Sequence, residues 1–94
     1  MTDKLSEEYF KACYVEIEAV VRMAAAHQAQ DLKRMAHAAS VLDQQTQKKA
    51  ELLANGMDVV VADKTRLLAI QEYDSDYPGK CEPAYTYMRS ISNH

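Results

Sequence analysis

Three groups of side chains in this chain of 94 residues have types and spacings that could do chemistry. Asp74-Ser75-Asp76-Tyr77-Pro78-Gly79 reads like the opening of a calcium loop, with oxygen ligands at alternate positions and glycine at the sixth. The pattern then fails. Pro78 stands fifth and Tyr85 stands twelfth, where a bidentate glutamate is needed. Aspartates and Pro-Gly set a tight turn on their own, so a turn without calcium is expected. His27 and Asp31 lie four apart on one helical face, which gives a hydrogen-bonded pair or half a metal site. His37 is about 80° off that face at helical spacing, so two ligands are too few. Cys13 and Cys81 lack metal-type spacing, and a disulfide between them has nothing to point to it. Cys13 falls on an apolar stripe, where a small buried thiol is the usual role. Cys81, between Lys80 and Glu82, is expected in an accessible loop. Nucleophilic catalysis needs a base and an orienting group beside the nucleophile, and no such motif, phosphate loop or nucleophile elbow is present. The chain is therefore read as a non-enzyme with no metal and no cofactor.

Charge narrows the partners. The formal net charge is −3. Residues 1–30 carry three basic and five acidic groups, residues 31–56 four and three, and residues 57–94 four and six. No segment is strongly basic, so nucleic acid is an unlikely partner for this chain on its own. Lys33, Arg34, Lys48, Lys49, Lys64 and Arg66 read as spread over several faces and interleaved with acids, as on a solvated surface. Residues 20–55 do not offer the two short helices and tight turn of a helix-turn-helix. No apolar run is long enough to span a membrane. Residues 1–18 carry five acids and lack the apolar core of a secretory leader. A reduced, cytoplasmic setting is the expectation.

The elements that must position these residues are helices. Residues 1–55 contain no glycine and no proline, and helix formers dominate from Glu7 to Ala54. An apolar stripe runs through Phe10, Ile17, Val21, Leu32, Met35 and Leu42. One helix over about 5–54 is the favoured reading. It would be a rod of about 75 Å at about 1.5 Å per residue. The competing reading bends it near residues 27–31, with Asp31 capping the second part. Asn55-Gly56 closes the segment. Asp58 then caps a helix over about 59–73, so that residues 55–58 are the turn of an αα-hairpin. The valines at 59–61 are strand-like but have no pairing strand. A loop over 74–82 and a short helix over about 83–91, opened by Pro83, complete an all-α single domain. Residues 92–94 are expected to fray.

A single long helix cannot fold back on itself, so the stripe is expected to be covered by a second copy in an oligomeric helical bundle. Phe10, Ile17, Val21, Leu32, Met35 and Leu42 are its candidate interface. Tyr73, Asp74, Asp76, Tyr77, Tyr85 and Tyr87 are the candidate contact with a larger protein, because tyrosines beside acids offer aromatic anchors and a charged rim. Packing of the C-terminal helix is their dull alternative. The resulting expectation is a small helical protein-binding regulator, an inhibitor or adaptor of the kind found among bacterial and phage accessory proteins. A dimeric nucleic-acid-associated regulator, or a bundle sequestering a small ligand between protomers, are the alternatives.

Overall fold

The computed structural model describes residues 4–92. It is all-α, with four helices: α1 (Lys4–Gln28), α2 (Leu32–Ala54), α3 (Val59–Asp76) and α4 (Cys81–Ser92). Of the frayed end expected at 92–94, residues 93–94 lie outside the described residues.

The favoured long helix is not what forms. The chain breaks at residues 29–31, and its longest dimension is 44 Å rather than the length of a 50-residue rod. The break needs no glycine. Gln30 takes the left-handed conformation at φ 55°, and its amide donates to the His27 carbonyl at 3.1 Å. The Asp31 amide donates to the Ala26 carbonyl at 2.9 Å. These two bonds satisfy carbonyls that the end of α1 would otherwise orphan. Asp31 then turns its carboxylate to the first turn of α2, where it accepts the Arg34 amide proton at 3.1 Å. One aspartate thus ends one helix and starts the next.

Folding back lets α2 pack on α1. Both helices bury alanines. Ala12, Ala19 and Ala26 recur at seven-residue spacing on α1 and are buried, as is Ala38 on α2. Side chains this small let two backbones approach closely. The helix pair is also held at one end by Glu16. Its carboxylate accepts from Lys49 at 2.8 Å and from the Thr46 hydroxyl at 3.1 Å. Lys49 lies over the Tyr9 ring at 5.9 Å, which adds a cation–π contact.

The turn at 55–58 forms as the sequence implies, with Gly56 at φ 103° and Asp58 capping α3. The hairpin expected there does not. Helix α3 packs on α1 rather than on α2, and α4 packs on α1 as well. Helix α1 is the hub because buried residues cover more than half of its circumference: Tyr9, Ala12, Cys13, Ile17, Ala19, Val20, Ala24 and Ala26. The core joins Tyr9, Cys13 and Ile17 of α1 to Leu52, Met57, Ala62, Ala69, Tyr73 and Cys81.

The expected loop at 74–82 is also shorter. Helix α3 continues through Asp74 and Asp76, and α4 already begins at Cys81. Only residues 77–80 lie outside helices there, with Gly79 at φ 83°. Asp74 and Asp76 are therefore helical and two residues apart, so their side chains diverge instead of converging as calcium ligands would.

Candidate functional site

Helix α3 buries small residues and exposes large ones. Ala62, Thr65, Ala69 and Tyr73 follow at steps of three and four and face the core. The opposite face carries Val60 at 62% exposure and Leu67 at 47%, seven residues apart. Val61 and Leu68 flank them, with Leu68 58% exposed. Lys64 and Gln71 stand between these two pairs on the exposed side, so the apolar side chains form two ridges, and exposed aliphatic side chains grouped in this way mark a surface that another chain can cover. Full burial of such a side chain contributes about 1.5–3 kcal/mol, and each of these valines and leucines forgoes only part of that, in proportion to its exposure.

The Leu68 side of this face meets α1. Ser6, Glu7, Phe10 and Lys11 of α1 and Thr65 and Leu68 of α3 line a shallow groove of about 420 Å³. Phe10 and Leu68 supply its apolar walls. Glu7 and Lys11 place one charge of each sign at the rim. Thr65 does not present its hydroxyl to the groove, because that group donates to the Val61 carbonyl within the helix at 2.7 Å.

The tyrosines do something else. Phe10, Tyr14, Tyr73 and Tyr77 form an aromatic run, with centroid separations of 6.3, 5.2 and 4.9 Å in that order. The Tyr14 hydroxyl donates to Asp76 at 2.7 Å and pins the end of α3 to α1. That bond holds the Tyr14 proton and raises its pKa well above the usual phenol range. Tyr14 of α1 and Tyr73 and Asp76 of α3 therefore meet within one protomer. Of the six residues expected to contact a partner, Tyr73 is buried at 4% exposure. Tyr85 is half-buried beside Cys13, Ile17 and Val20, and Tyr87 is half-buried with its ring 5.0 Å from that of His27. Only Asp74, Asp76 and Tyr77 are exposed, and Asp76 is engaged by Tyr14. Burial raises the pKa of Tyr73 and Tyr85.

The expected oligomer stripe is divided as well. Ile17 is buried in the core, and Phe10 and Val21 pack against that core. Met35 and Leu42 are half-buried on α2, which packs on α1. Leu32 alone of the six is open to solvent, at 77%. The bend thus removes the argument that the stripe needs a second chain, because α1 and α2 cover each other.

The other chemically suggestive residues are used structurally. His27 and Asp31 do not pair, since His27 lies against Tyr87 and Asp31 caps α2. Cys81 is not an accessible loop thiol but a buried residue at the start of α4. Cys13 and Cys81 are both free, and burial raises both thiol pKa values, which favours the unreactive protonated form. Among the described residues, no group of three or more His, Cys, Asp or Glu is placed to hold a metal ion, and no helix is long and apolar enough to cross a membrane.

Sequence reasoning missed Val60, Val61, Leu67 and Leu68 as candidates. A signal was there. Neighbouring apolar residues, Val59–Val61 and Leu67-Leu68, are about 100° apart on a helix, so no single buried face can hold them all. No protein-family model matches the chain, and no curated protein or solved structure matches it.

Proposed function

We propose that this chain is a non-enzymatic protein-binding module that receives a helix of a partner protein along α3. The observation that carries this is the pair of outward apolar ridges, Val60 with Leu67 and Val61 with Leu68, which flank Lys64 beside the Phe10 groove. An amphipathic helix laid in an apolar groove reads such a surface through residues at steps of three, four and seven. The mixed charges of Glu7 and Lys11 at the rim suit a helix with both signs on its flanks. The tyrosine-bearing C-terminal segment is then a strut that fixes α3 and α4 to α1, not the contact itself. Regulation by occlusion of the partner's helix follows from this mode, as an inhibitor or adaptor would act.

The test is site-specific photo-crosslinking in the native cell. A photoreactive side chain at Leu68 should capture a discrete protein, while the same group at Lys48 on the polar side of α2 should not. The Leu67→Asp/Leu68→Asp variant should stay folded by circular dichroism and lose the capture, because both side chains are about half exposed and outside the buried core. Equal capture from Leu68 and Lys48, or none from Leu68, sinks the reading. Capture of a second copy of this chain at Leu68 would make the surface an oligomer interface and would also refute a foreign partner there.

A further inference from the structure

We propose that the bend end of the α1–α2 pair is a second docking surface, one that binds an acidic segment of a protein through Arg22, Lys33, Arg34 and His37. These four side chains and Ala38 line a groove of about 430 Å³. Arg22 comes from α1 and the others from the first two turns of α2, so the fold assembles the cluster. Its charge is concentrated. Between Glu18 and Asp43 the only acid is Asp31, and its carboxylate is engaged as the cap of α2. With Arg22, Lys33 and Arg34 against Asp31, residues 19–42 carry a net +2, histidines neutral. The whole chain carries −3, so the remaining 70 residues carry −5. The molecule is thus polarised, with its positive charge at one end.

The cations are available. Lys33, Arg34 and His37 form no ion pair among the described residues. Arg22 lies 3.3 Å from Glu18, an exposed pair one helical turn apart. Such pairs contribute little and exchange readily for another carboxylate. The N-terminal end of α2 adds a field of the same sign. A short acidic peptide complements the charge of this groove. A nucleic acid running past it would meet the −5 of the rest of the chain, and lacks a continuous basic track to follow. This surface does not depend on the α3 reading, since it uses different helices and different chemistry.

The experiment is fluorescence anisotropy of the full chain with a labelled poly-glutamate peptide and, separately, a labelled DNA duplex. The key variant is Lys33→Glu/Arg34→Glu. Acidic residues in the first turn of a helix favour its dipole, so this variant should fold at least as well as the parent, with circular dichroism as the check. If it does not fold, Arg22→Gln on the exposed side of α1 takes its place. The peptide should bind the parent at low salt, weaken by about tenfold or more in the charge-reversal variant, and weaken again as salt rises. The duplex should bind less tightly than the peptide. No peptide binding at low salt, equal binding by parent and variant, or tighter binding of the duplex would each overturn the proposal.

Discussion

The turn after α1 and the turn after α2 carry the same backbone hydrogen bonds. In the first, Gln30 and Asp31 donate to the carbonyls of His27 and Ala26. In the second, Gly56 and Met57 donate to those of Leu53 and Leu52, at 3.2 Å each. Both place a residue with positive φ just past the helix, and an aspartate cap follows it, one residue later in the first turn and two residues later in the second. The chemistry differs. At the second turn the left-handed residue is glycine, and Leu52 and Met57 bring buried side chains to the two ends of the six-residue bond. At the first turn a glutamine takes the strained conformation, and the equivalent pair is Ala26 and Asp31. The second turn is locally favoured. The first works against a cost of about 1–2 kcal/mol for a non-glycine residue in that region, and long-range packing must hold it closed.

That contrast can be broken by mutation. The largest effect is expected for Leu52→Ala. It removes the buried side chain that ties the second turn to the core, and should lower stability by about 2–4 kcal/mol in urea unfolding. A loss below about 0.5 kcal/mol, the level of an ordinary surface change, would mean that this contact does not anchor the turn.

The two aspartates come next. Asp58 accepts two amides, Val60 at 2.8 Å and Val61 at 3.1 Å, whereas Asp31 accepts one. Asp58→Ala should therefore cost more than Asp31→Ala, about 1–2 kcal/mol against about 0.5–1 kcal/mol by thermal melting. The reverse order would show that the first turn relies on its cap more than its geometry implies.

The smallest changes concern the left-handed residues and should have opposite signs. Gly56→Ala meets no atom within 4 Å, so only backbone strain opposes it. It should destabilise by about 1 kcal/mol, the strain less the gain from stiffening the unfolded chain. Gln30→Gly should stabilise by about 0.5 kcal/mol for the converse reason. A destabilised Gln30→Gly protein would show that the glutamine side chain contributes something beyond the turn.

Much of the fold was legible because its signals are local. Breaker-free composition makes residues 4–28 and 32–54 helical, and Asn55-Gly56 with Asp58 marks the second turn, since each of these effects acts within about one helical turn. The candidate site was less legible. Tyrosines near the chain's end read equally well as anchors for a partner or as packing, and only burial separates Tyr73 from Tyr77.

By itself the sequence determined that this chain is all helix, where α2 ends, and that it carries no evident catalytic motif. Tertiary structure decided where α1 ends, because a glutamine enters the left-handed region only when distant contacts offset the strain. Here those contacts include the burial of Ala12, Ala19 and Ala26 together with Ala38. It decided that α1 and not α2 receives α3, and so which side of α3 is left facing water. It also brought Arg22 beside Lys33, Arg34 and His37, a cluster that no helical period contains. Periodicity within one segment fixes a residue's angle on its own helix. Which angle is buried depends on residues far along the chain that pack against it.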